Sequence, residues 1–257
     1  MEAAREAGAE LRARAGDPSR GIGTKSSPTD PASDADRASE AAVVARLRRA
    51  RPDDAIVAEE GSTGGGGATG VRWYVDPLDG TVNFLYGVPQ WSVAIACVDP
   101  AGPLAGVVYD VSKDELFSAS RGGGAWLRAG GADPRRLRVS EPASLGVALA
   151  CTGFSYLASE RARQGRILAE VLPHVRDIRR FGSAALDLAW VAAGRADLYF
   201  ESVASPWDWV AGALLVSEAG GRVTELPEAT GGEPRIVASG AGLHGPLLSL
   251  LEAARSR

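Results

Sequence analysis

One turn of the 257-residue chain concentrates groups that could do chemistry. Trp73-Tyr74-Val75 is a hydrophobic run that delivers Asp76 to its end, where Pro77 is expected to stop the strand and turn the chain. Asp79 follows three residues later, so both carboxylates can converge on one point. Gly80 and Thr81 then open a helix or helical turn whose first N–H groups have no intrahelical acceptor. Carboxylates beside anion-binding amides make sense if cations lie between them. A metal-bound phosphate suits that pairing, because Mg2+ takes carboxylate and phosphate oxygens octahedrally. By itself an Asp-Pro-x-Asp-Gly turn is also an ordinary loop.

Further acids stand at the ends of other elements. Glu59-Glu60 closes the apolar run Ile56 to Ala58, Asp36 falls in the first turn of a helix, and Trp207-Asp208 opens a later one. Solvated acids for the Glu pair, and dipole-favourable carboxylates at Asp36 and Asp208, are the ordinary alternatives. With only two histidines, His174 and His244, catalysis would have to lean on carboxylates. Acids of this kind are what an oxygen-ligated two-metal site requires. Other motifs fail. Gly16 and Gly21 have P-loop spacing, but Ile22 replaces the lysine, and Gly21-Ile22-Gly23 lacks the third glycine of a dinucleotide fingerprint. Cys97 and Cys151 lie in apolar runs and are expected to be buried thiols. Trp207 and Trp209 read as packing residues, and His174, after Pro173, as a surface residue. Arg179-Arg180 reads as a substrate-orienting pair, a dimer contact or an exposed rim.

The elements that must position these groups are legible in outline. Glu2 to Ala15 reads as a helix ended by Gly16-Asp17-Pro18, and Arg20 to Ala32 as a polar loop. Ser33 and Asp34 offer N-caps for a helix to about Ala50. Strands are expected at Ile56 to Ala58 and Val71 to Val75, with the glycines from Gly64 to Gly67 a flexible flap between them. Trp91 to Val98, Leu104 to Val111, Glu115 to Ser120 and Leu137 to Val139 suggest an antiparallel meander. A second half begins near Val147. It contains helices at Glu160 to Leu172, Ser183 to Ala193 and Trp207 to Ala219, and a last helix from Leu243. Its strands fall at Asp177 to Arg180, Asp197 to Glu201, Arg222 to Leu226 and Ile236 to Ala238. The expected organisation is an N-terminal α+β half, 1–140, carrying most acids, and a C-terminal α/β half, 141–257, completing one compact catalytic unit.

Composition bounds the function. The chain is 45% hydrophobic and 23% charged, as globular proteins are, and its net charge of −4 with no basic run argues against electrostatic capture of nucleic acid. Met1 to Arg14 is charged and lacks an apolar core like that of a signal peptide. No uninterrupted apolar run approaches a membrane span; Asp187 and Arg195 break the best one. The expectation is a cytoplasmic protein.

Asp76-Pro77-Leu78-Asp79-Gly80-Thr81-Val82-Asn83-Phe84 resembles the first signature of the inositol monophosphatase family. The stretch from Trp207-Asp208-Trp209 through Glu218 to Gly220-Gly221 resembles its second. Lys25 to Asp30 ahead of Asp36, and Glu59-Glu60 at the expected interval, agree in order and spacing. The segment at Gly182-Ser183-Ala184-Ala185 and the region of Phe154 resemble the bacterial branch acting on inositol monophosphate. Fewer residues precede Lys25 than in longer members, so either a shortened first helix or a misplaced start is expected. The resemblance implies a layered α-β-α-β-α sugar-phosphatase fold. It also implies a dimer and a lithium-sensitive enzyme that uses two or three Mg2+ per site to hydrolyse a small phosphorylated polyol, inositol 1-phosphate first. Histidinol phosphate, fructose 1,6-bisphosphate or a 3′-phosphonucleotide are alternatives, as is a binding role in transcription beside catalysis. Carried over by residue, Glu59, Asp76, Asp79, Asp208 and the Leu78 carbonyl would hold metal. Gly80 and Thr81 would bind phosphate. Thr81, oriented by Asp36 and helped by Glu59, would activate water. Asp79, Gly182, Ser183, Ala184 and Glu201 would contact the substrate. Asp34 stands where relatives often carry a small residue and is expected to be an exposed cap.

Overall fold

The computed structural model describes residues 1–16, 23–24, 31–64, 67–203, 205–226 and 229–256. In chain order its elements are α1 (Glu2–Arg14), β1 (Gly23–Thr24), β2 (Pro31–Ala32), α2 (Asp34–Ala50), β3 (Ala55–Ala58), β4 (Thr63–Gly64), β5 (Arg72–Asp79), α3 (Thr81–Tyr86), β6 (Ser92–Asp99), β7 (Gly102–Asp110), β8 (Glu115–Ser120), β9 (Gly124–Ala129) and β10 (Arg135–Arg136). The second half continues with β11 (Leu149–Thr152), α4 (Ala158–Val171), β12 (Asp177–Arg179), α5 (Ala184–Ala192), β13 (Leu198–Glu201), α6 (Pro206–Glu218), β14 (Arg222–Glu225), β15 (Ile236–Ser239) and α7 (Ala241–Arg255).

Eight strands form one sheet in the order β10-β9-β8-β7-β6-β5-β3-β4, and five form a second in the order β12-β11-β13-β15-β14. Period-two alternation decides what each face covers. On β6, Val93 and Ile95 pack with Ala4, Ala7 and Leu11 of α1 and Val43 and Leu47 of α2. The intervening Ala94 and Ala96 face Leu188 of α5 and Ala211, Leu214 and Leu215 of α6. The same central core takes Cys151 and Tyr199 from the second sheet, whose opposite face gives Ala150, Leu198 and Phe200 to α4 and α7. The result is five layers, α1/α2, sheet, α5/α6, sheet, α4/α7. This is the α+β arrangement expected.

Five details differ from the sequence reading. Gly23–Thr24 pairs antiparallel with Pro31–Ala32 inside the segment expected to be a polar loop. Asp76-Pro77 does not stop its strand: β5 pairs with β6 through Asp76–Ala94, shifts register, and pairs again at Asp79–Ser92. Pro77 is accommodated in that irregularity, where no ladder N–H is required. Leu137 to Val139 is not a strand; the meander is closed by β9, hidden behind the three glycines Gly122 to Gly124, and by β10. Thr63–Gly64 pairs with β3, so the front of the glycine segment is strand rather than flap; Gly65 and Gly66 lie outside the described residues, as do Lys25 to Asp30 and Gly21-Ile22. Ser33, not Asp34, caps α2; Asp34 is the first helical residue and is ion-paired with Arg37. No helix among the described residues is long and apolar enough to cross a membrane.

Candidate active site

A cavity of about 650 Å3 opens where the C-terminal end of β5 meets the N-termini of α5 and α6. Glu59, Asp76, Leu78, Asp79, Gly80, Thr81, Gly182, Ser183, Ala184, Glu201 and Asp208 all line it. Asp36, the remaining residue assigned a part in the chemistry, is set behind the wall, fully buried.

Local chemistry explains each placement. Asp76 accepts the Leu78 N–H at 3.0 Å, which folds the β5 irregularity back on itself and keeps the carboxylate against Glu59. Gly80 turns the chain with φ 96°, a left-handed conformation glycine adopts without strain. A Cβ there would also stand 3.0 Å from the Gln90 carbonyl and 3.1 Å from that of Gly182. The Thr81 hydroxyl lies 3.0 Å from both Asp36 Oδ1 and the Leu78 carbonyl. Asp36 is itself fixed by the capping box of α2, accepting the Ser33 N–H at 2.8 Å and the Ser33 hydroxyl at 2.5 Å. Asn83 joins the halves by donating to the carbonyls of Gln90 and Phe181, both at 2.7 Å. Asp79 crosses to α5, accepting from the Ser183 hydroxyl at 2.5 Å and the amides of Ala185 at 2.8 Å and Ala184 at 3.3 Å.

Crowding of acids governs the electrostatics. Burial, then the charges of Glu59, Asp79 and Asp208, hold the Asp76 carboxyl well above the usual range. Asp208 is held up by burial and by Glu59, Asp79 and Glu201. Burial raises Asp79 to about 6 against the lowering effect of its bonds to Ser183 and the α5 amides. Glu201 is raised by burial to about 7, with Arg180 and the Tyr199 hydroxyl opposing. Each carboxylate destabilises the ionised form of its neighbours.

Among the described residues, no three His, Cys, Asp or Glu side chains are drawn together as a ready-made metal cage. Asp79 shows one reason, since both its oxygens are engaged by α5. The donor set nevertheless fits a hard divalent cation. Four acids from three elements share one cavity and one another's field, and positive charge is what that field lacks.

Some contributors carry no sequence signal. Glu40, buried on α2, accepts the amides of Glu60 at 2.7 Å and Ser62 at 3.0 Å, anchoring the turn that presents Glu59. Asp187 on α5 is buried with neither oxygen hydrogen-bonded, and burial followed by the charges of Glu201 and Asp79 raises it strongly. Gly153, Thr230 and Arg235 line the cavity from chain segments that look like plain turns. Of the residues weighed, Phe154, Arg180 and Trp207 also line it, whereas Trp209 packs on the central core and Arg179 pairs with Asp177 at 2.5 Å. Cys97 and Cys151 are buried free thiols, Cys97 raised by burial to about 11. His174 is exposed, and His244 is buried between Thr224 and Ser239 at 2.8 and 3.0 Å.

Residues 1–256 match the model of the inositol monophosphatase family. An inositol-1-monophosphatase from Mycobacterium bovis is 43% identical over 248 residues, covering 93% of this chain and 84% of that protein. A protein named Nus factor SuhB from Xylella fastidiosa is 46% identical over 198 residues, covering 77% of this chain and 70% of its own length. The crystal structure of the extragenic suppressor protein suhB from Bartonella henselae superposes with a TM-score of 0.88 at 37% identity, over 99% of this chain and 96% of that one. The carboxylate cavity thus sits in a known frame, and the chain belongs to the inositol monophosphatase family, a family of phosphatases.

Proposed function

We propose that the protein is a Mg2+-dependent phosphomonoesterase that hydrolyses inositol 1-phosphate to inositol and phosphate by direct attack of water. The observation that carries this reading is the lining of one cavity by Glu59, Asp76, Asp79 and Asp208 beside the amides that open α3.

Two or three Mg2+ held by those four acids and the Leu78 carbonyl would cancel the dianion's charge, lower the pKa of water and stabilise the leaving alkoxide. The chain's own groups do the rest. The amides of Gly80 and Thr81 hold the phosphate oxygens at the start of α3. Thr81, with its hydroxyl hydrogen directed to Asp36 or the Leu78 carbonyl, offers a lone pair to the attacking water and orients it. Glu59 assists in drawing off the proton. Glu201, with Gly182, Ser183 and Ala184 beside it, accepts hydrogen bonds from the polyol hydroxyls, and Asp79 completes that side. A covalent intermediate is not needed, which agrees with two buried cysteines and two histidines outside the cavity lining. In this reading the enzyme is a lithium-sensitive cytoplasmic homodimer.

A phosphate-release screen with Mg2+ titrated and Li+ added tests it. The expected order places inositol 1-phosphate above histidinol phosphate, fructose 1,6-bisphosphate and 3′-phosphonucleotides. Rapid release from histidinol phosphate with none from inositol 1-phosphate overturns the substrate and keeps the chemistry. The Xylella relative's name supports a second, non-exclusive reading, a binding role in transcription. Binding of a purified transcription complex by a hydrolysis-deficient Asp76→Asn variant would support that role, and its absence in variant and wild type alike would remove it.

A further inference from the structure

Gly153 lies at the end of β11, beside the carboxylate proposed to read the substrate's hydroxyls. β11 and β13 run parallel with Thr152 opposite Phe200, and the Thr152 hydroxyl donates to the Phe200 carbonyl at 2.7 Å, fixing that register. The next residues along are Gly153 and Glu201. A Cβ built on Gly153 would overlap Oε1, Cδ and Oε2 of Glu201. Gly153 is absent from the positive-φ glycines, so space, not backbone freedom, calls for glycine there. On the other side, the fully buried Tyr199 donates to Glu201 Oε2 at 3.0 Å. One carboxylate oxygen is therefore tethered and its group lies against bare backbone. The atoms a Cβ would meet are the end of a flexible side chain, so alanine is accommodated by displacing the carboxylate rather than the strand.

We infer that Gly153 is a specificity-determining position, whose missing side chain forms the slot that holds Glu201 toward the hydroxyls of a phosphorylated polyol. This rests on the proposed role of Glu201 as hydroxyl acceptor. Gly153 is a positioning residue and touches no reacting atom.

Steady-state kinetics of Gly153→Ala and Glu201→Ala test the slot. The substrates are the polyol phosphate that the wild type hydrolyses best and p-nitrophenyl phosphate, which has no polyol hydroxyls. Gly153→Ala should raise KM for the polyol phosphate about tenfold, the scale of a lost charged hydrogen bond. Its kcat should stay within about twofold, because ground-state and transition-state contacts to the hydroxyls are lost together. Kinetics with p-nitrophenyl phosphate should not change, and the double variant should be no worse than Glu201→Ala alone. An unchanged polyol KM in Gly153→Ala, with a raised one in Glu201→Ala, overturns the slot and leaves Glu201 in its role. An unchanged KM in Glu201→Ala overturns that role and the slot with it. Equal losses on both substrates also overturn the slot. If Gly153→Ala does not fold by thermal melting, the double variant decides: folding restored by adding Glu201→Ala shows that the new Cβ meets that carboxylate and supports the slot, and no restoration overturns it.

Discussion

At Thr81 the proposed chemistry depends on where one hydroxyl hydrogen points. Asp36 and the Leu78 carbonyl both stand 3.0 Å from Oγ1, which frees a lone pair for water. Thr81→Ala should lower kcat about 10–100-fold, the usual cost of losing a partner that orients the reacting groups. Melting temperature should fall as well, because the buried Asp36 loses a donor; a folded variant with unaltered kcat at saturating Mg2+ would remove Thr81 from the mechanism. The acid cluster makes a second residue-level prediction. Asp76, Asp79 and Asp208 have raised proton affinities, so the metal-free fold is favoured while they are protonated and loses stability as pH rises through their folded-state values. Cations compete with those protons. The rise in melting temperature on adding Mg2+ should therefore be larger at about pH 8 than at about pH 6. A rise that shrinks with pH would contradict the cluster as the binding site.

Elements do the positioning, and here the sequence was uneven as a guide. The pair Asp76/Asp79, the glycine that turns at residue 80 and the helix that follows were readable, because each rests on local backbone chemistry. The uninterrupted course of β5 was not, since Asp-Pro reads as a stop until β6 pairs on both sides of the irregularity. β9 was hidden because adjacent glycines precede it and the apolar Trp126 stands on its outer face, masking an alternation in which Ala125 and Leu127 face the core. Glu40 is, in the sequence, one charged residue among several in a helix. Its role exists only because the turn after β3 folds onto α2. Glu40→Ala should leave two amides without their acceptor and cost about 1–3 kcal/mol. It should also raise the Mg2+ concentration for half-maximal activity by loosening Glu59. Chemical denaturation and a metal titration check the two effects separately; no change in either would contradict the anchoring role.

Across the whole molecule, the site depends on the two sheets being packed as one body. β5 and the turn at Glu59 belong to the eight-stranded sheet, whereas Glu201 belongs to the five-stranded one. α5 and α6 lie between them, with Leu188 and Leu215 fully buried in a core that draws on both sheets. Distant acids could be aligned in sequence through the resemblance, but their meeting depends on this central layer, which spacing alone does not encode. We expect a single cooperative unfolding transition, and Leu188→Ala should shift all of it by about 2–5 kcal/mol. Two separated transitions by circular dichroism and tryptophan fluorescence would show that the halves fold independently. Whether the four acids hold metal is read by anomalous diffraction from crystals soaked in Mn2+, an anomalously scattering stand-in for Mg2+. Anomalous peaks are expected in the cavity, bounded by Glu59, Asp76, Asp79 and Asp208 and weakened on the Asp208 side in Asp208→Asn. Peaks only elsewhere, or none in crystals of an enzyme fully active with Mn2+, would contradict metal binding by these acids.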